Sequence, residues 1–145
     1  MRFALLLTGD RATAEDVVQD AFLGLHRHWD DVNDPGRVLA YLRTAVVNGA
    51  RSRYRRHVVA RRVVLEPLAM VQSAEASVLA GEERRALLAA VDMLPRRQRE
   101  VLALKYFLDL GEREIAEVLS ISRGAVASTA SRALATLARR LREES

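Results

Sequence analysis

Apolar positions recur every three to four residues along most of the 145-residue chain, and strand-like alternation is absent. That period is the signature of helices burying one face. After Phe3 to Leu7 and the turn Thr8-Gly9-Asp10, the spacing predicts a helix from Thr13 to about Trp29, with Thr13 and Asp16 spaced as a capping box. Val17, Val18, Ala21, Phe22, Leu25 and Trp29 form its expected inner face. The opposite side carries Asp16, Gln19, Asp20, Leu23 and Arg27, so a leucine sits amid acids where a solvated face does not need one. The run 30–36, DDVNDPG, reads as a loop, with Asp34-Pro35 placed to cap a second helix from about Arg37 through Tyr54. That helix turns Leu39, Leu42, Ala45, Val46 and Gly49 inward.

Periodicity fades over 63–78, where Pro67 and two serines suggest an interdomain linker. From Leu79 it returns with Leu87, Leu88, Val91 and Leu94; Pro95 opens the next helix, and Val101, Leu104 and Leu108 continue the core. The stretch 111–132, GEREIAEVLSISRGAVASTASR, breaks into two short helices at a tight turn. Ile115, Ala116 and Leu119 share one face, Ala116 is small enough for a close crossing, and Ser122 is placed as the next N-cap. The second helix is expected to bury Val126, Ala130, Ala133, Leu134 and Leu137. Its other side presents Arg123, Ala127, Ser128, Ser131 and Arg132, a surface suited to a major groove. A small helical hairpin with a solvated polar face fits the same pattern.

Composition sharpens this all-α picture of two small helical domains, residues 1–62 and 79–145, joined by 63–78. Half of the residues are hydrophobic, enough for a core, and glycine and proline are scarce. The net charge is only +4, yet 22 basic residues are arginine and one is lysine. Guanidinium groups suit phosphate and guanine, although a GC-rich genome gives the same bias. Charge sign also reverses within the first unit: residues 1–37 hold seven acids and four basic residues, whereas 51–62 hold six arginines and no acid. A solubilising tail would share that charge but would not need Tyr54 as a stacking surface.

The absence of cysteine excludes disulfides and thiolate metal sites and suits a reducing cytoplasm. No apolar run is long enough to span a bilayer, so membrane insertion is not expected. His26 and His28 diverge on a helix and His57 lies among arginines, so neither a metal site nor a catalytic centre is expected. No phosphate loop or nucleophile elbow is visible, and no cofactor is expected.

In order, LLTGDRATAEDVVQDAFLGLHRHW, AYLRTAVVNGARSRYRRH and LPRRQREVLALKYFLDLGEREIAEVLSISRGAVASTASRALATLARRL resemble regions 2.2, 2.3 to 2.4 and 4 of a bacterial RNA polymerase sigma factor. The likeness is to the extracytoplasmic-function group, and within it the actinobacterial SigE-like family. It implies a non-catalytic, cytoplasmic promoter-specificity subunit whose partners are promoter DNA and core polymerase, through the β′ clamp helices and β flap, with room for an anti-sigma factor. By this resemblance Asp16, Gln19, Asp20 and Leu23 form the polymerase-docking stripe. The loop 30–36 captures a flipped base of the minus-ten element, Tyr41 and Asn48 lie on the single-strand-reading helix, and Arg51, Arg53, Arg55 and Arg56 supply its backbone groove. Ser128 and Arg132 serve the minus-35 element, with Arg99 and Arg123 as further phosphate contacts.

Two departures from the family accompany the likeness. The recognition helix carries Gly124-Ala125-Val126-Ala127-Ser128 where many relatives have Gly-Thr-Val-Lys-Ser, which implies weaker or altered minus-35 reading. Met1 also falls near the end of the family's first helix, so part of the face formed by Val17, Val18 and Phe22 is expected to lie open, through a late start site, a truncated chain or a covering partner. The rival class is an ordinary helix-turn-helix repressor or activator whose first half dimerises or binds an effector; a helical adaptor that binds no DNA is a third.

Overall fold

The computed structural model describes residues 1–57 and 78–144, with side-chain surroundings given for 1–53 and 81–143. The described residues are helical throughout: α1 (Arg2–Thr8), α2 (Arg11–Arg27), α3 (Trp29–Val32), α4 (Pro35–His57), α5 (Val78–Asp92), α6 (Arg96–Leu102), a π turn (Ala103–Phe107), α7 (Glu112–Leu119) and α8 (Arg123–Glu144). The expected linker, save for Val78, lies outside the described residues.

Gly9 ends α1 in the left-handed region at φ 72°, and its N–H donates to the Leu5 carbonyl. The chain leaves it extended, so Asp10 becomes the N-cap of α2. Its carboxylate accepts from the Thr13 N–H at 3.0 Å and from the Thr13 hydroxyl. This corrects the expected Thr13–Asp16 box: an acid three residues earlier takes the free N–H first, and the helix starts at Arg11. For α4 the expected start holds, since Pro35 opens the helix and the Asp34 carbonyl accepts from the Val38 N–H. The preceding loop contains the single turn α3.

Helices α2 and α4 run antiparallel, with Gly49 against Val17 and Gly24 against Tyr41. Val17, Ala21, Val46, Val47 and Ala50 fill the space between them. Of the face expected to lie partly open, Phe22 is 55% exposed, whereas Val17 is buried and Val18 partly so. Phe22 lies about 140° round α2 from Val17, outside the buried stripe. Trp29 is exposed because α2 stops at Arg27, and Leu39 because the α2–α4 register sets it opposite that last residue.

In the second unit Leu94, Val101, Leu104, Ile115, Leu119, Val126, Ala130 and Ala133 are buried as expected, whereas Leu87 and Leu134 are exposed. Leu134 sits one residue past the α8 stripe of Val126, Ala130, Ala133 and Leu137. The two units do not keep separate cores. Phe3, Leu5 and Leu7 of α1 and Val47 of α4 belong to one apolar cluster with Val101, Leu104 and Ile115.

Candidate promoter and polymerase interface

The α2 stripe faces outward. Leu23 is 54% exposed, and Gln19 is exposed beside it. Asp16 and Asp20 are also open, but Arg53 from α4 reaches across to both: one guanidinium nitrogen lies 3.7 Å from Asp16 Oδ2 and another bonds Asp20. An arginine expected to line the strand groove is thus shared with the acids of the expected docking stripe. Such an exposed pair stabilises by about 1 kcal/mol or less, so either side can exchange it for a partner.

Tyr41 is half-buried. Its ring lies 6.0 Å from that of His28, whose Nδ1 is 2.9 Å from the Gly24 carbonyl oxygen, and the Tyr41 hydroxyl sits directly over Gly24. It is therefore built into the α2–α4 contact, with only part of the ring available to a base. Asn48 is exposed on the same helix. The side chains of Arg55 and Arg56 lie outside the described residues.

Arg51, expected in the strand groove, is held by a carboxylate in this structure. Its Nε and Nη2 donate to the two carboxylate oxygens of Glu100, each at 2.8 Å, forming a two-pronged bond from α4 to α6. Glu100 is almost fully buried. The hydrogen bond to Glu100 raises the Arg51 pKa above its ordinary value, burial opposes this, and the carboxylate's charge adds to the rise. In this arrangement Arg51 joins the two units.

In the second unit Ser122 caps α8, its Oγ accepting from the Ala125 N–H at 3.0 Å. The turn before it is tight because Ser120 adopts the left-handed region at φ 56°. The α8 start is thereby aimed outward, with Arg123, Ser128 and Arg132 exposed together. Arg99 does not join them. It is 2% exposed, and its Nη1 donates to the Asp92 carbonyl at 3.0 Å and lies 3.8 Å from the Asp92 carboxylate, so it cannot meet a phosphate without leaving the core. Its place in LPRRQREVL gave no sign of this, because the pattern marks α6 as helical without marking which arginine turns inward.

Among the described residues no His, Cys, Asp or Glu group could hold a metal, and no helix is long and apolar enough to cross a membrane. An outward helix-turn-helix joined to a helical unit with an acid-and-leucine stripe defines a two-region sigma-70 type transcription factor. Residues 1–59 match the family Sigma-70 region 2 and residues 84–137 match Sigma-70, region 4. The chain is 34% identical to the RNA polymerase sigma-E factor of Streptomyces avermitilis over 99% of its own length and 77% of that protein's. It is 32% identical to the RNA polymerase sigma-E factor of Streptomyces coelicolor over 99% of its own length and 78% of that protein's. Among solved structures, CnrH in complex with the cytosolic domain of CnrY superposes with TM-score 0.71 at 27% identity, covering 99% of this chain and 80% of that one. The sigma factor RpoE in complex with the anti-sigma factor NepR from Bartonella quintana gives TM-score 0.75 at 25% identity, covering 97% and 88%. The chain belongs to the extracytoplasmic-function sigma factors of RNA polymerase, in their SigE-like branch.

Proposed function

We infer that this sigma factor binds core RNA polymerase through the α2 stripe of Asp16, Gln19, Asp20 and Leu23, and acts in the cytoplasm. It directs transcription initiation and is not itself a catalyst. The observation that carries the docking role is the exposed Leu23 on the same face of α2 as two carboxylates that remain open to solvent. A helix pair presenting complementary charge around an apolar groove would bury that leucine and take the acids from Arg53.

Promoter reading is divided between the units. Arg123, Ser128 and Arg132 meet the minus-35 duplex from α8, while Asn48, the open part of Tyr41 and the arginines of α4 hold the melted minus-ten strand. Flipping a base costs a few kcal/mol of stacking, which contacts to the base and backbone must offset. An anti-sigma protein is a further expected partner, because RpoE in the solved relative is bound to one.

Run-off transcription with purified core polymerase tests this. Promoter-specific transcripts that vanish in Leu23→Asp, while minus-35 duplex binding persists, are the expected result. A chain that binds promoter DNA yet supports no transcript would instead be an ordinary regulator.

A further inference from the structure

All of the sulfur in this chain is thioether, because it has three methionines and no cysteine. A hydroperoxide therefore meets no thiol, and methionine is left to take its oxygen. Met1 is 49% exposed and Met93 is 61% exposed, so both are open to attack. Their surroundings differ in one respect that decides what oxidation would do. Met93 follows directly on the end of α5, and Arg140 of α8 reaches across to it, placing Nη1 3.7 Å from the Met93 sulfur.

That contact leaves the guanidinium poorly served. A thioether is a weak acceptor, whereas a guanidinium carries five N–H donors. The Arg140 Nε is buried and meets no hydrogen-bond partner among the described residues. A stronger acceptor in place of the neutral sulfur would satisfy a charge that is already held in position.

We propose that Met93 is a sulfoxidation site for hydroperoxides, at which Arg140 receives the new oxygen, so that oxidation fastens α5 to α8 instead of loosening them. The sulfur lone pair attacks the distal peroxide oxygen, and the S–O bond forms as the O–O bond breaks. The proton of the distal oxygen passes to the departing one, which leaves as water from hydrogen peroxide or as an alcohol from an organic hydroperoxide. Sulfur is oxidised by two electrons and the peroxide is reduced by two. The oxygen thus arrives on the atom that Arg140 already faces, and it accepts a charge-assisted hydrogen bond that sulfur could not.

Sulfoxide formation commonly disrupts a core, because an apolar side chain becomes polar. Met93 avoids that cost by lying at a rim. Its neighbour Leu94 is buried with Leu102, Ala133 and partly buried Leu137, while Met93 itself remains mostly in solvent. Arg140 stands roughly 12 Å along α8 from Arg132, at about 1.5 Å per residue, so the change falls away from the outward start of that helix.

The full chain is titrated with hydrogen peroxide, sulfoxide is located by peptide mass spectrometry, and melting is followed by circular dichroism. Met93→Leu treated in parallel subtracts whatever oxidation at Met1 and Met70 contributes. Oxidation at Met93 is expected to raise Tm by about 2 °C relative to that control, and Arg140→Leu is expected to abolish the rise. Complete oxidation of Met1 while Met93 stays a thioether overturns the site. An unchanged or lowered Tm once Met93 is oxidised, or a rise that persists in Arg140→Leu, overturns the assignment of the oxygen to Arg140.

Discussion

Gly24→Ala isolates the contact that sets Tyr41 in place. A Cβ built at Gly24 lies 2.5 Å from the Tyr41 hydroxyl oxygen and 3.5 Å from the ring carbon that bears it. The first distance is roughly 1 Å short of ordinary van der Waals separation, and the ring is rigid, so it must swing as a whole. Overpacking of this kind costs about 1 to 3 kcal/mol, while replacing glycine by alanine inside a helix returns about 1 kcal/mol. The net is a loss of about 1 kcal/mol, which lowers Tm by roughly 3 °C for an unfolding entropy near 0.3 kcal/mol/K at this chain length. Tyr41→Phe removes the offending oxygen and leaves the ring carbon at an ordinary distance. In that background Gly24→Ala should therefore stabilise by about 1 kcal/mol, and the cycle should show a coupling of about 1 to 3 kcal/mol. Circular-dichroism melts of the four proteins provide the numbers. Stabilisation by Gly24→Ala with Tyr41 intact, or coupling below about 0.5 kcal/mol, would refute the proposed register of α2 on α4.

Ser120→Gly should stabilise by about 0.5 to 1 kcal/mol in a urea titration, because the serine occupies φ 56° at the end of α7 where glycine carries no Cβ penalty. Gly81→Ala should add a similar amount, since it lies within α5 and a Cβ there meets nothing within 4 Å. Arg132→Ala should lower the salt slope of minus-35 duplex binding by about 0.9 without changing stability, if its guanidinium neutralises one phosphate. Arg99→Ala should do the reverse, leaving the slope of the folded protein intact while costing about 3 kcal/mol for a broken buried charge pair.

Much of the fold was legible because helical periodicity reports burial directly: Val17, Val46, Leu104, Ile115 and Val126 all lie inside as their spacing predicts. The failures share a cause. Phe22, Trp29, Leu39 and Leu134 are apolar, but their burial depends on where a helix ends or on a neighbour's register, which no local window contains. The outward leucine of α2 was legible because Leu23 broke a polar face. The surroundings of the α4 arginines were less so, since an arginine reads identically whether its anion is a phosphate or a carboxylate 49 residues away. Burial then separates Arg99 and Arg51 from Arg123 and Arg132, although all four carry the same charge in the sequence.

That distinction bears on how such a protein can be basic without binding nucleic acid everywhere. Arg51 and Arg53 are each matched by carboxylates in this structure, so neither guanidinium stands ready for a backbone phosphate without first giving up a partner. The Arg51 pair is insensitive to alkaline pH on the arginine side. Because its folded pKa is raised, the stability it contributes is fully present below the ordinary arginine value and is lost only as pH rises past the raised one. Release must come instead from competition for the partners. On the proposed docking role, a polymerase surface that takes Asp16 and Asp20 would free Arg53. If both proposed roles hold, docking and strand binding are coupled through these ion pairs, because the charges that α2 would present to polymerase are paired with the Arg53 that α4 would offer to DNA.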